Sequence, residues 1–273
     1  MSLSNRTTRI IVALTAIPFL LFAAYFGKWL FLLFVLFVAL GAFYEFATML
    51  KNKEIEIPLL LGEAFVFLLV FNAYSKLIEF EILILLIPLF ITLYFLFRTG
   101  NSAVNNSGAA LLGIFYIGLF ASTLISVREY FPEKIIYERG GFLIIAVFIT
   151  IWLCDSAAYF LGTAFGKHKL MPRVSPKKSW EGAISGFVFA VLGMIVMREL
   201  FLNFLGFWQA LILGGLIGIT GQIGDLIESL IKRDAGVKDS SALIPGHGGI
   251  FDRFDSLIFV SPFVYLFLLF YFQ

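Results

Sequence analysis

Cysteine, histidine and charge are what this 273-residue chain has least of: one cysteine, two histidines and 14% charged residues. The lone Cys154 excludes an intrachain disulfide and any cysteine-cluster metal site. The histidines, His168 and His247, have no cysteine companions, which argues against zinc. Each reads equally as a phosphate donor or a plain loop residue. Charged residues make up about 25% of a typical soluble domain, so the low charge excludes a soluble globular fold. A net charge of +2 is too small to suggest a nucleic-acid partner. No soluble domain, linker or low-complexity tract stands out. A clear internal repeat is also missing, which weakens a transporter built from repeated halves. The first apolar run, Leu14 to Phe26, lacks a small-residue cleavage site, so it is expected to stay as a helix rather than be removed as a signal peptide.

What the chain has in abundance is apolar length: 60% hydrophobic and 18% aromatic residues. Apolar runs of about 20 residues recur throughout, long enough to cross a hydrocarbon core as helices and too long for barrel strands. The expected fold is all-α, a polytopic integral membrane protein with about nine transmembrane helices. These lie near 9–27, 29–49, 57–74, 80–97, 107–127, 141–163, 182–198, 206–225 and 254–272. Residues 1–140 would hold five N-terminal spans, and residues 141–273 the C-terminal spans with the long polar loops. With the N-terminus inside, 14 of the 20 basic residues fall on the inner side and 6 outside, as the positive-inside rule expects. Both polar loops, 164–181 and 226–253, then face the cytoplasm.

Acids at the inner ends of spans follow the same orientation: Glu45, Glu63, Asp155, Asp225 and Glu228. Carboxylates in hydrocarbon normally face a wet cavity, a cation or a basic partner, so one shared polar cavity is one reading and separate snorkelling or pairing is the other. Gly214, Gly218, Gly221 and Gly224 form a stripe at three- and four-residue spacing, suited to close helix packing and less to direct ligand contact.

The loops carry the chemistry. Asp225 and Glu228 share a helix face, with Ser229 four residues from Asp225. Asp252 and Asp255 repeat the three-residue spacing. Oxygen ligands of this kind suit Mg²⁺, which shares itself with substrate phosphates; the bland alternative is surface pairing, such as Glu228 with Lys232. Pro245-Gly246-His247-Gly248-Gly249 would let backbone N–H groups approach an anion. Lys232, Arg233, Lys238 and Arg253 supply cationic donors. In the other loop Ser175, Lys177 and Lys178 are candidate phosphate ligands, while Ser179 or Glu181 would serve catalysis or start the next helix. The run from Gly162 to Lys167 is too short for a nucleotide P-loop and follows a membrane helix rather than a strand.

The run Ser229-x-x-Lys232-Arg233-x-x-x-x-Lys238-Asp239-x-Ser241-x-x-Ile244-Pro245-x-His247-Gly248-Gly249-Ile250-x-Asp252-Arg253-Phe254-Asp255 resembles the signature of CDP-diacylglycerol synthases, also called phosphatidate cytidylyltransferases. Asp155-Ser156-Ala157-Ala158-Tyr159-Phe160-x-Gly162 and Ser175-Pro176-Lys177-Lys178-Ser179-Trp180-Glu181-Gly182 resemble that family too. The likeness is strong over about 150–256, and the first five spans share mainly its hydropathy. It implies a Mg²⁺-dependent reaction of CTP with phosphatidic acid at the inner face of the cell membrane. Catalytic residues would be Asp225, Lys232, Arg233, Lys238, Asp239, His247, Asp252 and Arg253. Substrate would meet Asp155, Ser175, Lys177, Lys178, Ser229, Gly248 and Gly249. The metal would sit on Asp225, Glu228, Asp252 and Asp255. A polyprenol or ether-lipid acceptor and a cation-coupled transporter are the competing readings, and a homodimer is left open.

Overall fold

The computed structural model describes residues 5–98, 102–131, 136–241, 243 and 248–272, with side chains from Leu14 onward. Helices dominate it. They are α1 (Asn5–Phe26), α2 (Lys28–Leu50), α3 (Leu59–Ser75), α4 (Phe80–Leu96) and α5 (Ala103–Arg128). After them come α6 (Tyr137–Phe165), α7 (Trp180–Leu200), α8 (Phe207–Asp234) and α9 (Phe251–Tyr271). Among the described residues six helices, α2 and α5 to α9, are long and apolar enough to cross a membrane, and shorter apolar helices lie at Leu14–Phe26, Leu59–Ser75 and Phe80–Leu96. The protein is therefore an all-α polytopic membrane protein, with six helices of spanning length among the described residues where about nine spans were expected. Its outer faces agree. Leu60 is 84% exposed, Phe97 80% and Phe270 78%, a surface that suits lipid rather than water.

One element was not expected. Lys169–Met171 (β1) and Ser175–Ser179 (β2) form an antiparallel hairpin, pairing Lys169 with Ser179 and Met171 with Ser175. Three and five residues give too short a period-2 signal to stand out from a loop.

The chain divides into two compact units. Unit 1 holds residues 1–23, 28–126 and 231–254; unit 2 holds 24–27, 127–230 and 255–273. The stretch 231–254 groups with the N-terminal helices, where its side chains find partners such as Glu45.

In unit 1 the core is built of α2, α3 and α5. Phe43 fills the space left by Gly62, Phe46 lies against Gly113, and Val66 meets Gly118. Gly113 precedes a π-helical stretch, Ile114–Leu119, within α5, and Gly118 lies inside it.

In unit 2 small residues let helices touch nearly backbone to backbone. A Cβ on Gly182 would lie 2.7 Å from the Ala158 carbonyl, and one on Gly186 2.9 Å from that of Cys154, so α7 crosses α6 closely. Gly214 and Gly218 bring α8 against α7 at Ala190, Val191 and Phe187. Gly224 seats α8 on the start of α9, at the Asp255 carbonyl, Ser256 and Phe259. The glycine stripe is thus a packing surface, as its spacing favoured. Gln222 Nε2 donates to Ala183 O (3.1 Å), and Ser256 Oγ donates to Gly221 O (3.0 Å), tying the same crossings with hydrogen bonds.

Unit 2 also holds a fully buried arginine. Arg128 donates to the last-turn carbonyls of α1, Nε to Ala24 (2.5 Å) and Nη2 to Tyr25 (2.6 Å), and its guanidinium lies 4.2 Å from the Tyr137 ring centroid. A positive charge on those unpaired C-terminal carbonyls complements the helix dipole. Gly27, with φ +64°, turns the chain directly beside it, where a side chain would collide with the guanidinium.

Candidate active site

Three helix crossings in unit 2 decide where its acids go. Asp155 comes from α6, Asp225 from α8 and Asp255 from the first turns of α9. The Gly224 contact sets the Asp255 backbone against α8, one residue from Asp225. The β1–β2 hairpin carries Lys178, which forms an ion pair with Asp225. Asp255 is within electrostatic reach of Asp225, Asp155 and Lys178, and Asp155 of Asp225 and Lys178. Asp255 is buried (7% exposed), whereas the side chains of Lys178 and Asp225 are 30% and 38% exposed and Asp155 is exposed. The group is therefore closed at its base and open toward Asp155 and Asp225.

Three carboxylates around one ammonium leave an excess of negative charge, and such an excess near hydrocarbon calls for a cation. The donors are all oxygens, the chemistry that a hard divalent ion takes. Among the described residues, no set of three or more His, Cys, Asp or Glu stands close enough to hold a metal as the side chains lie. The four expected metal ligands are thus not gathered as one group. Asp225 and Asp255 belong to the acid group of unit 2. Glu228, one turn along α8, is buried at 2% exposure. Asp252 has other partners.

The hairpin that delivers Lys178 is itself braced. Ser179 Oγ accepts the Gly182 N–H (3.2 Å) as the N-cap of α7. Glu181 accepts from the His168 backbone N–H (3.2 Å) and pairs with His168 Nδ1 at 2.6 Å. These two residues start the helix and hold the hairpin, the structural alternative given above. Lys177 is exposed and Ser175 half-buried on the same strand.

In unit 1 the loop after α8 is clasped differently. Lys232 Nζ donates to Asp252 Oδ1 (2.6 Å), with side chains only 11% and 5% exposed. Asp252 Oδ2 accepts from the Ser240 N–H (3.0 Å), Ser240 Oγ (3.0 Å) and the Gly249 N–H (2.8 Å). Lys232 and the Gly249 N–H, expected at a phosphate, are engaged by this carboxylate instead. Gly248 takes a left-handed conformation, φ +85°. Gly249 has no room for a Cβ between Ser240 and Glu45.

Glu45 is the residue whose role the sequence did not reveal. It is buried at 1% exposure and accepts four hydrogen bonds from the loop. The signal was an acid within an apolar span, without a partner to name. Arg233, Lys238, Asp239 and Arg253 are exposed, Arg233 Nη1 reaching Val237 O at 3.0 Å, and Ser229 is half-buried. His247, with Ile244, Pro245 and Gly246, lies outside the described residues.

The comparisons with known proteins agree with these motifs. A sequence model of the cytidylyltransferase family matches residues 7–271. The chain belongs to the cytidylyltransferase family. A phosphatidate cytidylyltransferase of Brucella suis biovar 1 is 35% identical over 269 residues, 97% of this chain and 94% of that protein. The protein of that name from Staphylococcus saprophyticus is 33% identical, over 93% of this chain and 94% of its own length. One from Bacillus subtilis strain 168 is 31% identical, over 95% of this chain and 96% of its own length. The expected kinship with phosphatidate cytidylyltransferases thus extends through the first five spans.

Proposed function

We propose that this cytidylyltransferase-family protein transfers CMP from CTP to phosphatidic acid, releasing pyrophosphate and leaving CDP-diacylglycerol in the membrane for phospholipid synthesis. A phosphate oxygen of the lipid forms a bond to the α-phosphorus of CTP, and the bond from that phosphorus to the β-phosphate oxygen breaks in line. The observation that carries this reading is the open acid group of unit 2, with Lys178 on a hairpin among Asp155, Asp225 and Asp255.

The residues suit the task. Lys178, with Lys177 and Ser175 on the same strand, would neutralise phosphate oxygens as charge spreads over them. Arg233, Lys238 and Arg253 are exposed cations on the second loop and would draw CTP from solution. No strong general base is needed, since a phosphate monoester is already anionic near neutral pH. His247 is accordingly assigned to positioning a phosphate. Mg²⁺ fits the oxygen donors of unit 2, and Asp225, Glu228 and Asp255 are the residues proposed to hold it. Asp252, expected as a fourth ligand, is proposed to act in unit 1 by setting Lys232. When bound, the ion would offset phosphate charge and align attacking and leaving oxygens.

Diacyl tails stay in the leaflet while CTP is soluble, so the acid group must open at an interface. The basic-residue bias supports an interface on the cytoplasmic side of the inner membrane, with the N-terminus inside. The test is direct. Purified protein with labelled CTP and Mg²⁺ should convert phosphatidate to CDP-diacylglycerol with one pyrophosphate per turnover, and EDTA should stop it. Transfer to a polyprenol or ether-lipid phosphate, with none to phosphatidate, would overturn the proposed acceptor.

A further inference from the structure

We propose that Glu45, in the second helix, is a positioning residue for this reaction: it holds both stems of the 241–250 loop and, through Ser240, sets Asp252 and Lys232. The inference rests on the nucleotidyl-transfer reading above. It gives the N-terminal half of the chain a part in the site beyond spanning the membrane.

Four donors converge on the Glu45 carboxylate. Ser241 Oγ (2.5 Å) and the Ile250 N–H (2.9 Å) reach Oε1; Ser240 Oγ (2.8 Å) and the Phe251 N–H (2.8 Å) reach Oε2. Each oxygen takes one donor from residues 240–241 and one from 250–251, so the carboxylate staples the two ends of the loop together. Ile250 and Phe251 stand at the N-terminus of α9, where backbone N–H groups lack helical partners and a negative charge is favoured. All four donors are uncharged. A carboxylate buried this deeply is costly without full hydrogen bonding, and replacing it by an apolar residue would take the acceptor from the Ser241 hydroxyl and two N–H groups and leave Ser240 only Asp252.

From Glu45 the constraint passes on. Ser240 Oγ lies 2.8 Å from Glu45 Oε2 and 3.0 Å from Asp252 Oδ2. Its single proton serves one carboxylate at a time, while the Ser240 N–H, 3.0 Å from Oδ2, keeps Asp252 in register. Asp252 in turn fixes Lys232. Packing enforces the same register: Ile250 occupies the notch left by Gly41, one turn before Glu45, and Phe251 lies edge-on to Phe46 and Tyr116. A shift of α2 relative to these stems would displace Ser240 and so Asp252.

Glu45→Gln keeps the shape but turns an NH₂ toward one pair of donors. Misplacement of a reacting group by about 1 Å can cost about 10²-fold in rate. That is the expected fall in kcat, with little change in KM for CTP. Hydrogen exchange should quicken at the amides of 248–252 and stay unchanged at 31–39 in the same helix. Ser241→Ala removes one donor, should cost about tenfold in kcat, and serves if Glu45→Gln does not fold. Wild-type kcat in either folded variant would overturn the proposal. So would activity lost only in proportion to folded protein, with exchange at 248–252 unaltered. If the wild type itself fails to use CTP, the reaction reading falls, and the exchange measurement still decides whether Glu45 holds the loop.

Discussion

The acid group of unit 2 and the clasp of unit 1 are made from the same residue types, carboxylates with one lysine, yet they are in opposite states. In the clasp, Glu45 and Asp252 share the Ser240 hydroxyl; Glu45 has three further uncharged donors, and Asp252 has Lys232 and two backbone N–H groups. Every oxygen there is satisfied. In unit 2, three carboxylates share Lys178, and the group opens outward at Asp155 and Asp225. A satisfied cluster rigidifies, whereas an under-compensated one has capacity left for a cation and phosphates. The comparison separates holding from binding.

Substitutions can break or sharpen that contrast. The largest effect is expected at Asp225→Asn, which removes a charge from the open group. Turnover should fall by about 10³-fold with the melting temperature in detergent little changed; near-normal turnover at saturating Mg²⁺ would show that Asp225 binds nothing needed. Asp252→Asn should instead destabilise. It removes the carboxylate charge that faces the buried Lys232, a loss of about 3–5 kcal/mol for a broken buried pair. Thermal unfolding would read it, and adding Lys232→Met should restore stability but not activity. Lys178→Ala should act mainly on substrate use, raising KM by about tenfold through the lost phosphate contact, which steady-state kinetics with varied CTP and phosphatidate would register.

The smallest effects test the α8–α9 crossing that sets Asp255. A Cβ at Gly224 would sit 2.7 Å from Phe259 Cβ. Gly224→Ala should therefore cost about 1–3 kcal/mol by overpacking and lower kcat with it. At Gly221 the nearest atom would be Val260 Cγ2 at 3.6 Å, an ordinary contact. Gly221→Ala should stay within about 0.5 kcal/mol of wild type. Equal losses at the two glycines, measured by thermal melts, would contradict the close approach at Gly224.

Much of this was legible in residue order. Hydropathy located the apolar helices among the described residues, because a backbone in hydrocarbon must satisfy its own hydrogen bonds and so announces itself as apolar length. The stripe of four glycines declared a packing face. The motif around Lys178, Asp225 and Asp255 named its chemistry, since oxygen ligands and cations at close spacing suit phosphates and few other substrates. Hidden from the sequence were relations between distant positions. Glu45 bonds to residues 195 to 206 positions away, and no local pattern encodes a partner at that range. Lys232 and Asp252 both looked like site residues. Only folding made them each other's counter-ion, leaving the open negative charge to Asp155, Asp225 and Asp255.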